Sequence, residues 1–130
     1  MRFHGAVGGE ELHRLLQRAH LFVSASSYEG FGLSTIEAMS AATVVVVTAV
    51  GAHPDVVRHG VSGWLIDQVA IGLAPAVERV LRMSREKLAA MGDAARAATQ
   101  RFSWGHIAPR YEQLYREVLG AQKTSPAQLP

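Results

Sequence analysis

The chain has 130 residues, a length that fits one compact domain and leaves no room for two. Thirteen Lys and Arg residues against eleven Asp and Glu residues leave a net charge of +2, too small for the basic surface of a nucleic-acid-binding domain. Hydrophobic residues make up 48% and charged residues 18%, which is typical of a globular domain with a core and excludes a disordered chain. Because the sequence contains no cysteine, disulfides, thiolate metal sites and cysteine nucleophiles are excluded.

No segment has the pattern of a membrane span or a signal peptide. The longest apolar stretch, residues 41–50, is interrupted by two threonines and is half as long as the roughly 20 residues that a spanning helix requires. We therefore expect a cytoplasmic protein. The arginines toward the C-terminus fit a solvated helix face, with contact to a membrane surface as the alternative. They are Arg79, Arg82, Arg85, Arg96, Arg101 and Arg110.

The first quarter of the chain predicts strand, helix and strand. A short strand is expected around residues 2–4, and Gly8 and Gly9 separate it from a helix over residues 9–20, where leucines recur at helical spacing. An apolar run at residues 21–24 predicts a second strand, which ends in a glycine-rich turn.

The middle of the chain continues this alternation. A helix is predicted over residues 34–42, because Ser34 and Glu37 have the spacing of a capping box. Residues 43–48 contain four consecutive valines and predict a strand buried on both faces, as in a parallel sheet covered by helices. A helical turn at residues 55–58 and a strand at residues 64–66 follow. The order β-α-β-α-β-α-β indicates an α/β fold with a partial Rossmann-like parallel sheet.

Helical spacing dominates after Asp67. Three amphipathic faces predict three C-terminal helices, with Ser84 and Ser103 as N-caps and Gly120 as the stop of the last helix. We expect one domain over residues 1–120 and a disordered tail over residues 121–130.

The loop after the second strand carries the candidate chemistry, since ligands of such sheets bind beyond the carboxyl ends of the strands. Glu29 stands beside Gly30 and Gly32 directly before a helix, so the backbone N–H groups of residues 32–35 are expected to face an anion. Glu37 follows in the first turn of that helix, where both carboxylates can reach the same rim. This arrangement suits a ligand with hydroxyls on both sides of a phosphate.

Structural explanations for these residues remain open. Glu37 has the spacing of the third residue of a capping box opened by Ser34, and Glu29 is alternatively a solvated loop acid. Neither a G-x-G-x-x-G motif after a strand nor a P-loop motif occurs. The six histidines lack metal-ligand spacing and are interpreted as surface or cap residues, although His53 lies on a strand-end loop and keeps a functional interpretation. We therefore expect no metal and no cofactor.

Several segments together resemble a known family. Residues 22–33, which read FVSASSYEGFGL, followed by Ile-Glu-Ala-Met at residues 36–39, are similar to the donor-site signature of the group 1 (family 4) glycosyltransferases of the GT-B fold. The resemblance extends over residues 2–119. Further matching pieces are residues 50–55, residues 60–65, residues 102–104, Tyr111, Leu114 and Tyr115.

The resemblance implies a role for each residue of the loop. Glu29 matches the first glutamate of the family's paired motif, which contacts the donor sugar, and is the implied catalytic residue. Glu37 matches the second glutamate, which holds the ribose hydroxyls, while the turn from Gly30 to Leu33 meets the sugar and the N–H groups of Leu33 to Thr35 meet the diphosphate. The donor-binding residues implied in this way are Gly30, Phe31, Gly32, Leu33, Ser34, Thr35 and Glu37.

The implied activity is transfer of a hexosyl unit from a nucleotide-diphosphate sugar to an acceptor, with retention of configuration and without a metal. The implied fold is the second half of a GT-B C-terminal domain, so the implied partners are the nucleotide sugar and an N-terminal acceptor domain or a complementing chain. We expect the chain alone to be inactive and to self-associate through an uncovered sheet edge. The alternative is a truncated, non-catalytic module that binds a nucleotide sugar or docks on a partner protein.

The sequence departs from the family pattern at a few positions. Ala42 and Val44 stand where the family usually has Gly and then Pro after the helix, and Asp55 stands where Glu is commoner. These departures are expected to be tolerated.

Overall fold

The computed structural model describes residue 1, residues 3–67 and residues 69–123. The chain divides into two compact units, one ending at Thr99 and the other beginning at Gln100. The first unit contains α1 (Gly9–Arg18), β1 (Phe22–Ser24), α2 (Leu33–Ser40), β2 (Val45–Thr48), α3 (His53–Val56), β3 (Trp64–Ile66), α4 (Val69–Leu81) and α5 (Arg85–Thr99). The second unit contains a 3-10 turn (Gln100–Phe102) and α6 (Trp104–Lys123).

The described strands form one parallel sheet in the order β1-β2-β3. Phe22 of β1 pairs with Val45 of β2, and Val47 of β2 pairs with Leu65 of β3. Because β2 lies in the centre, every one of its residues is buried. This confirms the prediction of an α/β fold with a valine-rich strand covered on both faces.

The core lies on both sides of β2. Val46 belongs to a buried cluster with Ile66 of β3, Ala76 and Val80 of α4, and Met91 of α5. Side chains alternate along a strand, so Val45 and Val47 face the other side of the sheet, and both are fully buried. Complete burial of a valine stabilises the fold by roughly 1.5–3 kcal/mol, so this strand anchors the first unit.

The end of α2 has an unusual backbone. Thr43 N–H donates to Ala38 C=O at 3.0 Å and Ala42 N–H donates to Met39 C=O at 2.9 Å, the bonding of a Schellman motif. Ala42 therefore adopts φ +60°, a conformation that glycine favours at this position. The departure from the family's glycine at Ala42 thus places a Cβ where the backbone is left-handed.

Helix α5 passes close to this turn. A Cβ added at Gly92 would lie 2.4 Å from the Ala42 carbonyl oxygen. Helix α5 can therefore pack this closely against the end of α2 only because residue 92 is a glycine.

Several predicted boundaries are corrected. No strand includes Phe3 or His4, and residue 2 lies outside the described residues. A strand needs a hydrogen-bonded neighbour, and the described sheet ends at β1. Helix α6 continues past Gly120, because an exposed glycine costs a helix only about 1 kcal/mol. Residues 124–130 of the expected tail lie outside the described residues. Among the helices described, none has the length and apolar character required to span a membrane.

Candidate functional site

The candidate site is built on the carboxyl ends of β1 and β2. These parallel strands end at Ser24 and Thr48, so the loops that follow them emerge at the same edge of the sheet. The Thr48 hydroxyl donates to Ser26 C=O at 2.6 Å, and the Ser24 and Ser26 hydroxyl oxygens lie 3.0 Å apart. The first residues of the β1–α2 loop are therefore tied to the end of the neighbouring strand.

The same loop rests on Gly51 in the turn after β2. A Cβ added at Gly51 would lie 1.6 Å from the backbone oxygen of Glu29, and Gly51 has φ +53°. Both the close approach and the left-handed backbone require glycine here. The backbone that carries Glu29 is thus placed by direct contact with the second strand-end turn.

The side chain of Glu29 closes the loop. Its Oε1 atom accepts a hydrogen bond from Gly32 N–H at 2.9 Å, and the residue is partly buried. Our expectation that the Gly32 N–H faces a ligand is therefore wrong in this conformation, because the loop's own carboxylate takes that donor. Glu29 also has a local structural partner that sequence spacing did not reveal.

Helix α2 begins directly after this turn. Gly32 is the N-cap residue with φ +81°, and the first helical bond runs from Ile36 N–H to Gly32 C=O at 2.9 Å. The N–H groups of Leu33, Ser34 and Thr35 belong to the first turn, where α-helical bonding provides no intrahelical acceptor. The positive end of the helix dipole adds to the attraction that these groups exert on an anion.

The capping-box explanation of Glu37 is wrong. The helix begins at Leu33, so Ser34 lies inside it, and the N-cap Gly32 makes no side-chain cap bond. A glycine with positive φ starts the helix before Ser34 can cap it. The exposed Glu37 instead lines a groove of about 210 Å³ between α1 and α2. The other lining residues are Gly9, Leu12, His13, Leu16 and Ser40.

The structure places one further residue at the site, a histidine for which the sequence pattern gave little support. His53, the first residue of α3, is completely buried. Its Nδ1 lies 2.7 Å from Thr48 C=O and its Nε2 lies 3.0 Å from Thr35 Oγ1. The interpretation of the histidines as surface or cap residues is therefore wrong for His53. Its place between a strand-end turn and Pro54 was the only sequence signal.

The remaining residues of the loop and of the first turn of α2 differ in exposure. Gly30, Phe31, Leu33 and Ser34 are exposed at the rim, whereas Thr35 is buried. Within the described part of the chain, no three His, Asp or Glu side chains come together in a way that could hold a metal ion. The described buried side-chain polar atoms all have hydrogen-bond partners. The site therefore offers backbone donors and two carboxylates on a well-packed base.

Comparison with known proteins gives a consistent result. Residues 1–98 match the family model described as glycosyl transferases group 1. The chain is 38% identical over 123 residues to D-inositol 3-phosphate glycosyltransferase of Streptomyces griseus, a match that covers 92% of this chain and 25% of that protein.

Solved structures agree with this match. Sucrose-phosphate synthase from Thermosynechococcus elongatus superimposes with a TM-score of 0.83 at 35% identity, covering 92% of this chain and 30% of that one. Anabaena HepE in complex with UDP-glucose superimposes with a TM-score of 0.72 at 26% identity, covering 82% and 30%. The chain therefore spans less than a third of the length of these relatives.

The family match covers the loop with Glu29, helix α2 with Glu37 and the turn with Gly51, which together form the edge described above. On this evidence the chain belongs to the group 1 glycosyltransferases.

Proposed function

We propose that this chain binds a nucleotide-diphosphate sugar and forms the donor-binding part of a glycosyltransferase that transfers a hexosyl unit with retention of configuration. The observation that carries the proposal is the position of Glu29 and the first turn of α2 at one edge of the sheet, where Gly51 contacts the Glu29 backbone. The structure of HepE with UDP-glucose, a chain of the same fold, supports this class of ligand.

The order of groups along α2 matches the order of groups in such a donor. The sugar would lie near Glu29, the diphosphate at the N–H groups of Leu33 to Thr35, and the ribose at Glu37. With a rise of 1.5 Å per residue, Glu37 lies about 6 Å further along the helix axis than Leu33. That separation suits the distance from a diphosphate to the hydroxyls of the attached ribose.

In the proposed reaction the first turn of α2, rather than a metal ion, stabilises the negative charge of the leaving group. The bond between the anomeric carbon and the diphosphate oxygen breaks, and the acceptor hydroxyl oxygen bonds to the same face of that carbon while its proton passes to an oxygen of the departing diphosphate. The departing nucleoside diphosphate gains negative charge, which the first turn of α2 stabilises. Glu29 orients the sugar hydroxyls, and the acceptor site belongs to protein beyond this chain.

Titration calorimetry with substituted chains tests the proposal. The variants are Glu29→Gln and Glu37→Gln, with Glu78→Gln on the exposed face of α4 as the control. The probes are UDP and UDP-glucose. GDP, GDP-mannose, ADP and ADP-glucose are tested in parallel because the proposal does not specify the nucleobase of the donor. We expect Glu37→Gln to weaken the diphosphate and the sugar nucleotide alike, by ~1 to 3 kcal/mol, since it removes a charged acceptor for the ribose.

Glu29→Gln distinguishes the two roles. It should leave affinity for the bare diphosphate nearly unchanged and weaken only the sugar nucleotide, because its contact is to the sugar. Equal losses of diphosphate affinity in both glutamate variants would show that the roles are assigned incorrectly. No binding of any probe to the unsubstituted chain would contradict the proposal for this chain.

A further inference from the structure

We propose that His53 is a positioning residue for the donor site and that the Thr35 hydroxyl is its structural partner rather than a contact to the donor. The inference rests on the proposed function. In this arrangement this chain contacts the donor's phosphate groups through backbone N–H groups of α2, and the imidazole holds those groups in place. His53 would thus act through α2 without contacting the donor.

The hydrogen bonds of the ring support this role. A backbone carbonyl only accepts, so the 2.7 Å contact with Thr48 C=O requires a proton on Nδ1. In the neutral ring, Nε2 is then the acceptor, and the Thr35 hydroxyl donates its single proton across the 3.0 Å contact. That proton is not available to a phosphate while the bond exists.

The ring also supports the turn before the helix. A Cβ added at Gly32 would lie 3.2 Å from His53 Cδ2 and 3.4 Å from Nε2, so the imidazole packs closely beside Gly32 and leaves little room for a larger residue. Gly32 in turn donates to Glu29. One buried side chain therefore joins the end of β2 to the first turn of α2 and to the turn that orients Glu29.

An apolar side chain could fill the same volume but could not make these bonds. Its introduction would leave the buried Thr35 hydroxyl without its acceptor, and a buried polar group that loses its partner is costly. Asparagine and glutamine separate the two bonds, because their amides reach the approximate positions of Nδ1 and Nε2 respectively. These residues allow each half of the link to be tested.

The test combines His53→Asn, Thr35→Val and the double variant, with His20→Asn at an exposed position as the matched control. We expect each single variant to weaken binding of UDP, GDP or ADP, whichever the unsubstituted chain binds most tightly, about three- to tenfold, the usual effect of one lost hydrogen bond. The double variant should lose no more than the worse single variant, because both changes remove the same bond. His53→Gln, which reaches Thr35, and Thr35→Ser, which keeps the hydroxyl, should lose less than His53→Asn and Thr35→Val.

Two NMR measurements separate positioning from a general loss of stability. Amide hydrogen exchange of Ile36, the first bonded amide of α2, should accelerate at least about fivefold in His53→Asn and Thr35→Val, while β2 amides remain protected. The ¹⁵N shifts of the His53 ring should show the Nδ1–H form, and Thr35→Val should change the Nε2 shift selectively.

Each outcome has a defined meaning. Additive losses in the double variant, or unchanged Ile36 exchange, would overturn the inference even if the chain binds a nucleoside diphosphate as proposed. If the unsubstituted chain binds none of the nucleotides, the proposed function fails and with it the donor-site part of the inference. Faster Ile36 exchange confined to His53→Asn and Thr35→Val would then support only the link between His53 and α2.

Discussion

Substitution of Gly51 by alanine should damage the candidate site more than any other single methyl group added at its edge. The new Cβ would begin 1.6 Å from the Glu29 backbone oxygen, whereas an ordinary contact lies at 3.4–4 Å. The loop that carries Glu29 must therefore move, and the left-handed φ of +53° adds strain of its own.

The two costs can be separated by a matched control. Gly60 has φ +74° with nothing within 4 Å of an added Cβ, so Gly60→Ala introduces the backbone strain without the contact. We expect Gly60→Ala to destabilise the fold by about 1–2 kcal/mol. Gly51→Ala should lose about 1–3 kcal/mol more, the usual range for forcing extra volume into a packed site.

Urea unfolding measures the difference in stability, and calorimetry with UDP-glucose measures its effect on the donor site. Gly60→Ala should bind UDP-glucose with unchanged affinity, whereas Gly51→Ala should lose at least about tenfold because Glu29 is displaced. Equal destabilisation of the two variants, or normal UDP-glucose binding by Gly51→Ala, would show that the contact between Gly51 and the Glu29 loop does not determine the position of Glu29.

Three further predictions concern the rest of the first unit. Ala42→Gly should raise the free energy of unfolding by about 0.5–1 kcal/mol, since glycine adopts the observed φ of +60° without strain; an unchanged thermal midpoint would contradict this. The pKa of Glu86 lies below the ordinary glutamate value because the carboxylate accepts hydrogen bonds from its own backbone N–H and from Ser84. Ionised Glu86 therefore stabilises the fold above about pH 4. This contribution is lost as the pH falls through the lowered pKa. Glu86→Gln should therefore reduce the loss of stability between pH 6 and pH 3 in urea titrations, and an identical pH profile would argue against it. Because β1 lies at the edge of the described sheet with Val23 42% exposed, dilute samples should contain dimers or larger species by light scattering, and Val23→Lys should reduce them; a strictly monomeric unsubstituted chain would contradict this.

The elements with strong local signals could be predicted from the sequence. Four consecutive valines predict the buried central strand, and residues 64–66 form a strand as predicted. The start of α2 could not be placed correctly, because the spacing of Ser34 and Glu37 satisfies the capping rule whereas Gly32 begins the helix in a conformation with no sequence signature of its own. The predicted strand is wrong at Phe3 and His4 for another reason, since a segment forms a strand only beside a hydrogen-bonded partner.

The candidate site likewise contains features with a local sequence signal and features that depend on contacts between distant residues. The loop with Glu29 and the helix with Glu37 were located from local spacing and from the rule that ligands bind at carboxyl ends of strands. The contacts of Gly51 and His53 could not be predicted because they join residues far apart in the chain, such as Thr35 and His53, which are separated by 18 positions. Such contacts depend on how the strands pair, and a local pattern cannot express them.

The hydrogen bond from Gly32 N–H to Glu29 Oε1 affects the entropy of ligand binding. A free glutamate side chain samples many rotamers, and restricting them costs on the order of 1–2 kcal/mol. Here much of that loss occurs during folding, because the carboxylate is already held by the loop backbone before any ligand arrives. A hydroxyl that reaches the second carboxylate oxygen, Oε2, therefore meets an acceptor whose direction is set in advance, and it does not have to order the side chain itself.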